Sequence, residues 1–221
     1  VETGMISCIY QRGLKMAEIP LFPLGTVLLP GGRMQLKIFE QRYLSMITNV
    51  MREETGFGMV MISSGYEVLE GRESDQQPNV EPVGSFIKVL DFSEGQAGML
   101  LITIEAEVKL KVARKWSDSN RLMMGQVEFL APEEDQAVTP EFEHLADLLG
   151  HLMQYPAIAS LFESFDYTSA CGVGGRLTEF LPCSELVKQG LLEMTDPIER
   201  LVQLDRIVSE LQERGGGLPA Y

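Results

Sequence analysis

The stretch IPLFPLGTVLLPGGRMQLKIFEQRY, Ile19 to Tyr43, decides the fold. Pro20, Pro23 and Pro30 interrupt short β-type apolar runs, and proline in a sheet is confined to an edge strand, a strand start or a turn. The segment therefore opens a β-structure and is excluded from helix interior. Pro30-Gly31-Gly32 marks a turn. Beyond it Met34, Leu36 and Ile38 alternate with Gln35, Lys37 and Phe39, the period of a strand with one buried face. A helix is predicted from Glu40 to near Gly56, with Phe39, Tyr43, Leu44, Ile47, Val50 and Met51 at three- and four-residue spacing on its buried face.

Working outward, Gly58 to Ile62 (GMVMI) reads as a short buried strand and the polar stretch Gly71 to Asn79 as a loop. Three long strands follow, Val83 to Phe92, Met99 to Trp116 and Arg121 to Leu130. Turn residues at Glu94-Gly95 to Gly98 and at Ser117 to Asn120 predict hairpins between them. In the second, Val108, Leu110 and Val112 are expected inside, with Lys109, Lys111 and Ala113 outside. Many strands with short turns and a single helix imply a partly closed barrel. Residues 1–15 have no sustained period and read as an extension, with an edge strand at Ile6 to Tyr10 as the alternative.

Composition changes at Pro132-Glu133-Glu134-Asp135, after which the pattern is helical. Phe142, Leu145, Leu148, Leu149, Leu152 and Met153 form an amphipathic stripe that stops before Pro156. A shorter helix is predicted from Ala157 to Phe165, and Gly172 to Gly175 reads as a loop linking helices. Ser184 caps a helix running to about Glu193. Asp196-Pro197-Ile198-Glu199 then sets an acceptor at the N-cap, proline at N1 and a carboxylate at N3. The helix it starts carries Ile198, Leu201, Val202, Leu204, Ile207, Val208 and Leu211 on one face and ends at Arg214.

The 221 residues carry a net charge of −14, and 45% are hydrophobic. Between Ser117 and Asp166 ten acidic residues face one basic residue, Arg121. Nucleic-acid affinity comes mostly from clustered Lys and Arg, so nucleic acid is an unlikely partner on charge, and an anionic membrane surface likewise. No apolar run is long enough to span a bilayer and no leader pattern is visible, which predicts a cytoplasmic location. Cys8, Cys171 and Cys183 are odd in number and form no CxxC, so neither a disulfide framework nor a zinc site is indicated.

No residue set forms a catalytic constellation, and no cofactor is implied. His144 and His151 share a helix face with Asp147 but lack a fourth ligand or HExxH spacing, so a solvated polar face is expected and no metal. Gly172 to Gly175 has neither P-loop nor dinucleotide spacing. Ser63-Ser64-Gly65 reads as a turn and Ser184 as a cap, and neither lies in a GxSxG elbow. Met34, Met46, Met51, Met59, Met61, Met123 and Met124 fall at apolar-periodic positions and are assigned to the core. Arg42 is expected to reach an acidic group elsewhere and so fix its helix.

PLFPLGTVLLPGGRMQLKIFEQRY resembles the opening of the Lon protease N-terminal domain, and especially of small stand-alone bacterial Lon-domain proteins. VGSFIKVLDFSEGQAGMLLITIEAEVKLKV resembles the family's Val-Gly pair, hairpin and long strand, and LLEMTDPIERLVQL its final helix. Ala106 departs from a frequent glycine, and Lys109 and Lys111 from frequent arginines. The resemblance implies an α+β fold, a PUA-like partly closed β-barrel followed by a C-terminal α-helical subdomain. The boundaries are 16–132 for the barrel with its capping helix, 133–214 for the helical subdomain and 215–221 for a tail. The motif residues Pro23, Leu24, Pro30, Gly31, Phe39, Glu40, Arg42, Tyr43, Asp196 and Glu199 take structural roles.

Full Lon proteases continue into an ATPase module with a P-loop and a protease domain with a serine-lysine dyad, and neither pattern occurs here. The expected function is non-catalytic binding of unfolded or exposed segments of other proteins, along a groove where barrel and helices meet. RNA binding, known among PUA-like folds, is the alternative, and an independent hydrolase ranks last.

Overall fold

Leu29 to Gly32 forms the turn on which the opening of the chain pivots. The Gly32 amide donates to the Leu29 carbonyl at 2.8 Å, with Pro30 in second position. Gly31 in third position has φ 76°. A type II turn needs a left-handed residue there, which glycine supplies without a Cβ clash. The computed structural model describes residues 16–65, 77–95, 99–162 and 164–213. The N-terminal extension or Ile6 to Tyr10 strand, residues 71–76 of the predicted Gly71 to Asn79 loop, part of the turn before Met99 and residues 214–221 lie outside the described residues, while Asn79 already belongs to a strand.

The chain divides into two units, 1–131 and 132–221. The first contains β1 (Met16–Leu24), β2 (Arg33–Ile38), α1 (Gln41–Arg52), β3 (Phe57–Ser64), β4 (Asn79–Glu94), β5 (Leu100–Ser117) and β6 (Met123–Phe129). Their pairing order is β2-β5-β4-β3-β1-β6, and β5 also pairs with β6, so the pairing returns on itself through five strands with β2 added outside. Ile19, Leu21, Val60, Phe86, Val108, Leu110, Val127 and Phe129, drawn from those five strands, form one core. A second core holds Phe22, Phe57, Ile102 and Ile104 with Tyr43, Met46, Ile47 and Val50 of α1. The fold is mixed α+β, a six-stranded sheet followed by helices.

β1 reconciles its prolines with an inner place in the sheet. Met16 to Leu21 pair antiparallel with β6, and Leu21 to Leu24 pair in parallel with β3. Opposite Pro20 stands Met124 and opposite Pro23 stands Val60, so each proline has one paired side only. The strand is not the edge that proline suggests, yet each half is locally edge-like, which is what a missing N–H requires. The methionine reading holds, since Met46, Met59, Met61 and Met123 are buried and Met34, Met51 and Met124 pack against the core.

Two alternation readings fail locally. Lys109 is 5% exposed rather than outward. It stands opposite Ser85, whose hydroxyl donates to the Leu28 carbonyl at 2.5 Å, so the buried Val27 to Leu29 segment covers a face that period two assigns to solvent. Phe39 is 49% exposed rather than part of the α1 stripe, because it precedes the helix and lies outside its 3.6-residue period. The register of β4 on β5 slips at Glu107, between Val108 and Ala106, so a bulge forms here without glycine.

Gly84 shows how closely β3 and β4 approach. A Cβ there would stand 2.2 Å from the Met59 carbonyl oxygen and 2.8 Å from Val60. Backbone cannot yield as a side-chain end can, so Gly84→Ala is expected to cost about 1–3 kcal/mol. An unchanged urea midpoint would contradict that close approach.

The second unit carries a 3-10 turn at Pro140–Phe142, then α2 (Glu143–Leu152), α3 (Pro156–Ala159), α4 (Ala170–Phe180), α5 (Glu185–Glu193) and α6 (Pro197–Glu213). Its core joins Phe142, Leu145, Leu149, Val173, Leu177, Leu191, Leu201, Leu204 and Val208. Gly172 to Gly175 is not a loop but lies inside α4. Ser169 caps that helix by accepting from the Gly172 amide at 2.9 Å, and Val173 and Leu177 are fully buried. Each of the three glycines costs about 1 kcal/mol in a helix, and burial of Val173 and Leu177, at about 1.5–3 kcal/mol each, offsets them. The helix expected from Ala157 to Phe165 shrinks to the single turn α3, although Ile158, Leu161, Phe162 and Phe165 keep a helical spacing.

Candidate functional site

The opening motif places its charged residues at the strand-to-helix junction. Glu40 occupies the N-cap of α1, and its backbone carbonyl accepts from the Leu44 amide at 3.0 Å. The Glu40 carboxylate receives Arg42 Nε at 3.0 Å and Nη2 at 2.9 Å, and both side chains are more than nine-tenths buried. Arg42 Nη1 donates to the Arg121 carbonyl at 3.1 Å, and the guanidinium lies 4.4 Å from the Tyr43 ring centroid. Tyr43 packs in turn on Phe22 at 4.5 Å.

Arg42 thus pairs with an acid two residues away rather than a distant one. Its long-range bond goes to a carbonyl instead, and it still ties α1 to the β5–β6 turn. Arg121 takes φ 62° there, and its carbonyl also accepts from Gln77 at 2.7 Å. Pro23 and Leu24 are buried in β1, Pro30 and Gly31 form the turn, and Phe39 projects beside the junction.

Asp196 and Glu199 work in the second unit. Asp196 Oδ1 accepts from the Ile198 amide at 2.8 Å and the Glu199 amide at 3.2 Å, capping α6. One residue on, Arg200 is 1% exposed. Its Nε donates to the Leu191 carbonyl at 2.9 Å, Nη2 to the Met194 carbonyl at 2.8 Å, and Nη1 to Glu133 Oε2 at 2.9 Å, with Nη2 also on Glu133 Oε1. Arg176, equally buried, is bidentate to Glu179 at 2.7 and 2.8 Å. Arg200 fastens α6 to the end of α5 and to the Glu133 segment, whereas the Arg176 pair lies within α4.

Among the described residues, the titratable groups singled out by the sequence sit in surface or structural contacts. His144 Nε2 bonds Asp205 Oδ1 at 2.8 Å on an exposed surface. Among the described residues no group of three His, Cys, Asp or Glu side chains is placed to hold a metal ion. Burial, together with the neighbouring Asp135 and Glu133, pushes the Cys171 thiol up to about 12, and burial raises Cys183 as well. A thiolate nucleophile needs the opposite surroundings. Ser64 ends β3 before Gly65, and the Ser184 hydroxyl caps α5.

Exposed apolar groups are the remaining chemical resource. In the first unit Leu90 and Phe92, at the far end of β4, are 46% and 56% exposed, with Phe39 nearby in character if not in sequence. In the second, Tyr155 and Tyr167 are each 38% exposed, and Leu161 and Phe162 are half-buried beside them, while Met153, Ile158 and Phe165 pack against the helical core. Such groups can receive the side chains of another polypeptide.

The sequence profile of the ATP-dependent protease La (LON) substrate-binding domain matches residues 18–210. The chain belongs to the Lon substrate-binding domain family. The crystal structure of a Lon N-terminal domain protein from Xanthomonas campestris is similar at 31% identity, over 85% of this chain and 96% of that one, with a TM-score of 0.66. The N-terminal domain of the Mycobacterium avium complex Lon protease shares the fold at 18% identity, with the same coverage of 85% and 96% and a TM-score of 0.55. No protein of curated function matches.

The Lon-family match runs from β1 into α6 and so takes in both apolar surfaces. Sequence reading located neither. A strand period hides Phe92, and a helix predicted through Phe165 conceals that Tyr155 and Tyr167 stay exposed while Ile158 and Phe165 pack against the core. The available signal was the density of aromatic residues from Tyr155 to Tyr167.

Proposed function

We propose that this Lon-family domain is a non-catalytic module that holds polypeptides by their exposed apolar segments. The observation that carries the reading is the substrate-binding-domain match across residues 18–210. It is supported by solvent-facing Leu90, Phe92, Tyr155 and Tyr167, which a stable monomer has no internal use for. The net charge of −14 favours this over the RNA alternative, since a phosphate backbone would meet repulsion.

Uncharged, apolar fluorescent peptides are expected to bind with micromolar Kd, roughly −7 to −8 kcal/mol. Their affinity should change little between low and high salt, because apolar burial involves no counterion release. Single-stranded RNA is titrated alongside. RNA binding that weakens steeply with salt, with no peptide signal, would replace this reading with the RNA one.

A further inference from the structure

From Leu122 to Gly175 the chain contains no lysine or arginine and nine acidic residues. The surface around Tyr155, Phe162 and Tyr167 lies within this span. Phe165 is edge-on to Phe162 at 6.4 Å and to Tyr167 at 5.0 Å, so three rings form a continuous row. Two glycines seat it. A Cβ at Gly172 would stand 3.3 Å from the Phe165 ring, and one at Gly150 would stand 3.8 Å from Tyr167. The row therefore lies against α4 and α2, and Tyr167 at its end is 38% exposed.

Acidic groups border it. Glu143, Asp147 and Gly150 are spaced i, i+4 and i+7 on α2, which puts both carboxylates on the helix face that Tyr167 touches. Both are exposed, and Asp166 sits within the row itself. The Arg176 guanidinium, 6.0 Å from the Phe162 ring centroid, is buried and bonded to Glu179. An apolar surface inside a one-sign field selects ligands of opposite charge.

We propose that the surface around Tyr155, Phe162 and Tyr167 is the docking face for polypeptide segments that combine apolar or aromatic side chains with lysine and arginine. This rests on the polypeptide-binding reading above and names its substrate class and location. Aromatic rings suit such a ligand twice over, since they accept both apolar groups and cations on their faces. A second copy of the chain is the less suitable occupant, because two faces of the same sign repel.

The test uses three fluorescent peptides with one apolar pattern, carrying lysines, no charge or glutamates. At low salt the lysine peptide is expected to bind about tenfold or more tighter than the glutamate peptide, with the difference closing at high salt. Glu143→Lys/Asp147→Lys should remove the lysine preference and leave the uncharged peptide unaffected. Tyr155→Ser/Tyr167→Ser, at two exposed residues, should weaken all three, with circular dichroism reporting that the fold is kept.

Equal, salt-insensitive binding of the three peptides overturns the basic substrate class while leaving polypeptide binding intact. A lysine preference that survives Glu143→Lys/Asp147→Lys overturns the location. Absence of binding by any peptide defeats the underlying reading as well. Light scattering that shows a dimer, made monomeric by Tyr155→Ser/Tyr167→Ser, assigns the face to self-association and overturns the proposal.

Discussion

Arg200→Ala is expected to destabilise the helical unit by about 3–5 kcal/mol, the usual cost of removing one partner of a buried ion pair. The guanidinium is 1% exposed and engages both oxygens of Glu133, which is itself only 11% exposed in its side chain. It also serves the Leu191 and Met194 carbonyls at the end of α5, so one truncation strips donors from three places. The Glu133 carboxylate would be left in a site that solvates it poorly. Urea unfolding followed by far-ultraviolet circular dichroism measures the loss. Adding Glu133→Gln to Arg200→Ala should recover part of it, because an amide tolerates that site better than an unpaired charge. A midpoint unmoved by Arg200→Ala would mean that the Glu133 segment is not fastened to α6.

Leu201→Ala should cost about 2–4 kcal/mol. Leu201 is fully buried in the core shared by α2, α4, α5 and α6, where one side chain meets several helices at once. The loss combines the transfer of the missing carbons with the cavity left among neighbours that relax only in part. The Leu201 methyl carbon would be 3.5 Å from a Cβ at Gly174, which places the void directly against α4. Thermal melting checks the effect. A melting temperature equal to the parent's would show α6 undocked from the core.

What the sequence made legible is local. The Pro30-Gly31 turn, the α1 stripe, the three long strands and the caps at Ser184 and Asp196 each carry their signal within a few residues. The period of an element and the chemistry of its ends need no knowledge of the rest of the chain. What escaped depends on distant neighbours. Lys109 looks outward until the Val27–Leu29 segment is laid over its face. Gly172 to Gly175 looks like a linker until Val173 and Leu177 find a core around them. Arg42 declares neither its nearby acid nor the Arg121 carbonyl, because a long flexible side chain has many partners within reach. The aromatic row at Phe162 to Tyr167 was hidden for a related reason, since exposure is a property of the assembled unit.

The two-sided pairing of β1 also sets an order of events during synthesis. Leu21 to Leu24 can find β3 as soon as the residues through Met61 have left the ribosome. Met16 to Leu21 must wait for Met123 to Glu128, roughly a hundred residues later in the chain. Closing that long loop carries an entropy cost that local hairpins do not incur. During this interval the newborn chain holds an open ladder whose first strand has its backbone donors and acceptors available to any other extended segment. The domain is therefore most vulnerable to mispairing just before its sixth strand emerges, and the arrival of that strand is the step that seals it.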